Sequence, residues 1–166
     1  MNEITLAERA RKGSKDAFCG LYGLYKDRYY RYALYRLGDP REAEEAVSEC
    51  ALALWQQIGK LREPAAFAAW SFKILSRCCM KQIQGRRKDV SLTAVPEPSE
   101  APGTETRLML EEALATLTEQ ERDIVLWSVV AGLNSTEIGE LTGMAPGSVR
   151  SSLSRSLKKL RQYWVR

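Results

Sequence analysis

Apolar residues along this chain recur at three- and four-residue intervals, the period of an amphipathic helix. Phe18, Leu21, Leu24, Tyr25, Tyr29, Tyr32, Ala33 and Leu37 keep that period from Asp16 onward, until Gly38-Asp39-Pro40 breaks it. A second helix is expected to follow Pro40 and run to Trp55, and a third covers Phe67 to Lys88. In the last third, Ile124, Val125, Leu126, Val129 and Val130 give a broad apolar face. A short helix is expected from Asn134 through Leu141. A final one, from Pro146 to about Tyr163, carries Val149, Leu153, Leu157 and Leu160 as its expected buried stripe. At 1.5 Å per residue that helix is ~27 Å long.

The boundaries in the last third are written in cap chemistry. Thr118-Glu119-Gln120-Glu121 and Asn134-Ser135-Thr136-Glu137 both have the capping-box pattern, which satisfies two orphan amides reciprocally. Gly132 and Gly143 stand at left-handed helix ends, and Pro146 suits a first turn. Gly139 lies inside the short helix, where Gly costs about 1 kcal/mol against Ala, so a close helix crossing is expected there. Two helices joined by a tight Gly turn form a helix-turn-helix, which places its second helix in a DNA groove. Charge agrees. Glu111 to Glu140 holds seven acids and one base, whereas Leu141 to Arg166 holds six bases and no acid. Ser148, Arg150, Ser151, Ser154, Arg155 and Lys158 are the expected DNA contacts of the last helix.

Composition divides the chain. Residues 89–107 hold three prolines, one glycine, four acids and one base without apolar period, a flexible acidic linker by composition. Net charge is +7 over 1–88, −3 over the linker and zero over 108–166. The expected fold is all-α, with two small helical domains, 1–88 and 108–166, and the helix-turn-helix in the second. No apolar run approaches ~18 residues, so no membrane insertion is expected. The polar start, Met1 to Lys15, lacks a signal-peptide core and points to the cytoplasm. Histidine is absent, and no glycine-rich phosphate loop, GxSxG or HExxH occurs. Cys19, Cys50, Cys78 and Cys79 have no CxxC spacing and read as buried free thiols. No metal, cofactor or catalytic residue is expected. Six tyrosines lie between Tyr22 and Tyr35, most of them core-facing with hydroxyls at the rim.

Two charge clusters ask for partners. Glu42, Glu44, Glu45 and Glu49 put four carboxylates into eight residues with no base among them. Acids near a helix N-terminus gain ~0.3–1 kcal/mol each, which accounts for about two. The surplus is a docking surface for a basic partner. From Phe67 to Lys88 there are Lys73, Arg77, Lys81, Arg86, Arg87 and Lys88 and no acid. Lys73, Arg77 and Lys81 share one helix face, with Trp70 and Ile74 turned inward. Like charges at that spacing repel unless they meet an anion such as phosphate.

The order of these features resembles the extracytoplasmic-function (ECF) sigma factors of bacterial RNA polymerase, through most of the chain. Leu37-Gly38-Asp39-Pro40, Glu42-Ala43-Glu44-Glu45-Ala46-Val47-Ser48-Glu49 and Trp55 look like the family's polymerase-binding helix. Phe67-Ala68-Ala69-Trp70-Ser71-Phe72-Lys73-Ile74 looks like the start of its −10-element segment. Leu117-Thr118-Glu119-Gln120-Glu121-Arg122, Gly132-Leu133, Glu137 to Gly143 and Gly147 to Ser151 look like its −35-reading domain, the most specific match. The resemblance is to a divergent form of the family. Ser48 and Ala51 stand where the family usually has Gln and an aromatic, and Arg77 and Lys81 where it has Asn and Asp. Ala145 replaces a hydroxyl cap, and Ser152 and Ser154 replace Arg and His.

The resemblance implies binding rather than catalysis. Glu42, Glu44, Glu45 and Glu49 would meet core RNA polymerase, whose largest subunit and flap region are the expected contacts. Lys73, Arg77, Lys81, Arg86 and Arg87 would hold the −10 region of promoter DNA. The last helix would read the −35 element, and an anti-sigma factor would regulate the chain. Two alternatives stay open here: a stand-alone helix-turn-helix regulator, and a sigma-like module that only binds an anti-sigma partner.

Overall fold

A computed structural model describes residues 2–88 and 104–164. The described residues are helical, without strands. The first group is α1 (Glu3–Arg11), α2 (Lys15–Leu37), α3 (Pro40–Gln57) and α4 (Phe67–Lys88). Short 3₁₀ turns at Ile58–Lys60 and Pro64–Ala66 join α3 to α4. The second group is α5 (Thr104–Ala115), α6 (Glu119–Val129), α7 (Ser135–Thr142) and α8 (Pro146–Trp164).

The helices start where short polar side chains can cap them. Asn2 accepts from Thr5 N at 2.8 Å, Ser14 from Ala17 N at 3.2 Å, and Asp39 from Arg41 N at 2.8 Å ahead of Pro40. Gly38 ends α2 with φ 74°, a conformation that only Gly adopts without strain. The Gly38–Pro40 break thus turns α2 back along α3. Both capping boxes of the last third are formed, with Glu121 N on Thr118 Oγ1 and Glu137 N on Asn134 Oδ1.

The first core is aromatic. Tyr25, Tyr29 and Tyr32 are buried along α2, and Phe72 of α4 meets Tyr29 edge-on at 4.9 Å between ring centroids. The hydroxyls of Tyr29 and Tyr32 are buried too, rather than at the rim as expected, because α4 crosses over that face and faces them with Ser71 and Ser76. Burial pushes both phenols up. Tyr25 donates to Glu3, which ties α1 to α2. Ile124, Ile138 and Val149 centre the second core, where α6, α7 and α8 meet.

Three expectations change. Helix α5 begins at Thr104, four residues inside the expected linker, since Thr104 to Arg107 hold no Pro or Gly to stop it. The rest of that linker, 89–103, lies outside the described residues. On α8 the buried face is Val149, Ser152 and Ser156, with Leu153 and Leu160 partly covered; Leu157 is 37% exposed. Small serines let α8 approach α6, where Ser156 Oγ donates to Glu121 Oε2 at 3.3 Å. Of the cysteines, Cys50, Cys78 and Cys79 are buried thiols, but Cys19 is exposed.

Candidate nucleic-acid interface

The site grows from the helix-turn-helix upward. Gly143 closes α7 with φ 77°, and the chain returns so tightly that a Cβ on Gly139 would lie 2.7 Å from the Met144 carbonyl oxygen. The close approach expected at Gly139 is therefore with the backbone of its own turn, not with a crossing helix. It fixes the angle at which α8 leaves α7. Glu121 then clamps α8 from the other side, with Lys159 Nζ at 2.9 Å on the same carboxylate oxygen that takes Ser156. That charge pair, with the Thr118 amide, holds the Glu121 carboxyl down at about 2.

So held, α8 turns Ser148, Arg150, Ser151, Ser154, Arg155 and Lys158 outward, all six exposed. Lys159, by contrast, is tied across helices to Glu121. The outward face of α8 is cationic and hydroxyl-rich, which suits phosphate and base-edge contact in a groove.

On the first helical group, α3 and α4 pack side by side, and their charges meet across the seam. Lys81 Nζ lies 2.6 Å from Glu49 Oε1, and Arg86 is paired with Glu42. Arg86 also donates to the Leu37 carbonyl at the end of α2. Two of the four acids and two of the five bases expected to hold the −10 region thus face each other. Glu44 and Glu45 stay exposed on α3, and Lys73 and Arg77 stay exposed on α4. The Arg87 side chain is outside the described residues. Ile74 is buried as expected, but Trp70 is only half-buried. It lines a cleft with Lys60, Arg62 and Lys73, which Glu140 and Leu141 of α7 close from the far side.

Comparison with known proteins decides what this arrangement is. The sigma-70 region 2 family matches residues 21–89, and the sigma-70 region 4 family matches residues 107–160. SigL of Mycobacterium tuberculosis, an ECF RNA polymerase sigma factor, is 30% identical over 152 residues, 85% of each chain. This chain belongs to the ECF sigma factors. SigW of Bacillus subtilis is 22% identical over 178 residues, covering 93% of this chain and 92% of its own. CnrH, solved with the cytosolic domain of CnrY, has the same fold, with TM-score 0.78 at 17% identity over 96% of this chain and 95% of that one. The sigma factor RpoE of Bartonella quintana, solved with the anti-sigma factor NepR, gives 0.72 at 19%, over 91% and 98%.

The chain is thus a sigma factor, which directs RNA polymerase to promoters. Its region 2 match spans α3 and α4, and its region 4 match spans the helix-turn-helix. Among the described residues no helix is long and apolar enough to cross a membrane. One surface residue escaped the sequence reading. Leu52 is 59% exposed on α3, in line with Glu45 and Ser48 at seven and four residues before it. Its signal was present, since an apolar residue in helical register with the acids belongs to their face and not to the core.

Proposed function

We propose that three exposed faces divide the work of this sigma factor. Glu44, Glu45, Ser48 and Leu52 on α3 dock core RNA polymerase, on the basic surface of its largest subunit. Glu42 and Glu49 take part mainly by fixing α3 against α4. Lys73 and Arg77, with Arg87 beyond them, hold the −10 region as it opens. Lys81 and Arg86 meet phosphate less readily, because their carboxylate partners already hold them. Ser148, Arg150, Ser151, Ser154, Arg155 and Lys158 on α8 read the −35 element, and region 4 meets the polymerase flap.

The observation that carries this reading is the sorting of exposed charge. Glu44 and Glu45 of α3 stay exposed and outside the ion pairs of the seam, and a carboxylate face repels phosphate. A stand-alone DNA-binding regulator has no use for that face. The chain acts by binding, in the cytoplasm where polymerase works, and residues 1–88 and 108–166 act as two units. RpoE, which shares the fold, was solved with the anti-sigma factor NepR bound, and an anti-sigma factor is the matching partner here.

In vitro transcription with core polymerase over a promoter library tests the assignment. Specific initiation that depends on this chain, and is lost on reversing Glu44 and Glu45, is expected. Tight sequence-specific DNA binding by the chain alone, with no effect of those reversals, would replace it with the stand-alone regulator.

A further inference from the structure

Helices α3 and α4 run antiparallel, in a register that the charge pairs of their seam fix. Glu42 meets Arg86, and further along α3 Glu49 meets Lys81, which lies further back along α4. Two thiols stand inside that register. Cys50 follows Glu49 directly, and Cys78 precedes Lys81 by nearly a helical turn, so both step from the edge of the seam to its inner side. Cys50 is fully buried, in one stripe with Ala43, Ala46 and Leu54, and Cys78 is 7% exposed. The Cys50 thiol donates to the Cys78 sulfur across the helix pair. Packed helix axes lie ~8–10 Å apart and each Cα ~2.3 Å from its axis, so facing Cα atoms come within ~3.5–5.5 Å. That range overlaps the ~4.4–6.8 Å that a disulfide spans.

Most buried cysteines only pack. This pair has an opening. Cys78 lines the cleft that Glu49, Ala53, Gln57, Arg77 and Lys81 form at the surface, which gives a molecule of a few atoms access to its sulfur. Two of those side chains are cations, surroundings that favour thiolate. The hydrogen bond from Cys50 holds the Cys78 thiol below its ordinary value, against burial and Glu49 and with help from Lys81. The same bond, and then burial, push Cys50 up. Cys79 lies toward Arg36 and Asp123 instead, and burial pushes it up to about 12. One thiol of the pair is thus open and nucleophilic, and the other stands behind it, protonated.

We propose that Cys50 and Cys78 form a dithiol site for small hydroperoxides, which oxidise the pair to a disulfide that ties α3 to α4. The Cys78 sulfur attacks one peroxide oxygen and the O–O bond breaks. The other oxygen leaves and is protonated, as an alcohol or, from hydrogen peroxide, as water. Cys78 is then a sulfenic acid. The Cys50 sulfur attacks the Cys78 sulfur, the S–S bond forms as the S–O bond breaks, and hydroxide departs with the Cys50 proton as water. Together the thiols lose two electrons and two protons, and the peroxide gains both. A thiol reductant reverses the link by exchange. The link falls beside the Glu49–Lys81 pair and holds α3 and α4 in the register that this pair already sets.

The test uses the full native chain, in which exposed Cys19 serves as an internal reference. Hydrogen peroxide is added in steps, free thiols are alkylated in denaturant, and non-reduced peptides are mapped by mass spectrometry with fragmentation between Cys78 and Cys79. By the time Cys19 is oxidised, the chain is expected to carry a Cys50–Cys78 link, with the loss of two hydrogens, and a thiol reductant should remove it. In Cys50→Ala, with folding checked by circular dichroism, Cys78 should stop at the sulfenic acid and be trapped by dimedone. In Cys78→Ala both the link and any dimedone adduct at Cys50 should be lost, whereas Cys79→Ala should leave the link intact.

Cys50 and Cys78 that remain alkylatable in the native chain after Cys19 has been oxidised are inert packing thiols, and that result overturns the site without any variant. A link that runs through Cys79 overturns the pairing. A dimedone adduct on Cys50 in a folded Cys78→Ala chain overturns the assignment of Cys78 as the attacking sulfur.

Discussion

Glu49 and Lys81 hold each other across α3 and α4 at 2.6 Å, so a carboxylate and an ammonium of opposite assignment neutralise one another. The pair raises the Lys81 ammonium's pKa, first through the hydrogen bond itself. Glu42 and Arg86 repeat the arrangement nearer the start of α3. The consequence for polymerase binding is unequal weight among the four acids. Glu45→Lys is expected to leave the chain folded and weaken core polymerase binding about a hundredfold or more, since repulsion across an interface takes several kcal/mol. Glu49→Gln should change that affinity little, because its charge is already taken. Titration of labelled variants with core polymerase reads both. Equal losses at the two positions would mean that the seam opens in the complex.

The helices themselves were legible because each local signal agreed with the next. Gly38-Asp39-Pro40 stops and restarts a helix by cap chemistry alone, and Thr118–Glu121 and Asn134–Glu137 do the same. Phase was harder. On α8, hydrophobicity ranks Leu157 above Ser156, yet Ser156 is inside, because closeness to α6 and an acceptor on Glu121 decide it. Pairing between distant residues was not legible at all. Nothing near Arg36 in the chain points to Asp123, and nothing in an acid-rich or base-rich window shows that Glu49 will find Lys81. The exposed cationic and hydroxyl face of α8 could be read because it is local to one helix, whereas the α3–α4 surface depends on which charges cancel.

Gly139→Ala separates helix propensity from geometry. Ala gains about 1 kcal/mol over Gly inside a helix. Its Cβ would lie 2.7 Å from the Met144 carbonyl oxygen, a backbone atom in a tight turn. Forcing that contact apart costs about 1–3 kcal/mol in overpacked sites. The turn has no flexible side chain to move instead. Net destabilisation is expected in urea unfolding followed by far-ultraviolet circular dichroism, with weaker −35 binding because the α7–α8 angle shifts. A stabilised variant would show that the turn yields easily.

Glu121 gives the helix-turn-helix a pH dependence of known sign. Its carboxyl titrates at about 2 rather than the ordinary 4.5, chiefly through the hydrogen bond from Lys159 and also through the Thr118 amide. A depressed carboxyl adds stability that is complete above its unfolded value and fades as pH falls through its folded one. The stability difference between the native chain and Glu121→Gln should therefore be full above about pH 4.5 and shrink towards pH 2. Denaturation at a series of pH values, with carbon-detected titration of Glu121, checks it. A constant difference across that range would mean that Glu121 acts by shape and not by charge.

The last prediction separates the two DNA surfaces, using the contrast between a base-reading and a phosphate-holding residue. Arg150 is exposed on α8 in the turn after Gly147, where recognition helices reach base edges. Arg150→Ala should cost about 1–3 kcal/mol on the preferred promoter and relax preference at one −35 position. Lys73 is exposed on α4, outside the cleft that Arg77 and Lys81 line with Glu49 of α3. Lys73→Ala should weaken open-complex formation about equally across sequences and lower the slope of log affinity against log salt by about one phosphate. Lys81→Ala should do less than Lys73→Ala, since the lost cation was already paired with Glu49. Measured with core polymerase over several salt concentrations and a promoter set mutated at each −35 position, the three variants should fall in that order of kind. A sequence-selective loss from Lys73→Ala together with a uniform one from Arg150→Ala would exchange the roles of α4 and α8.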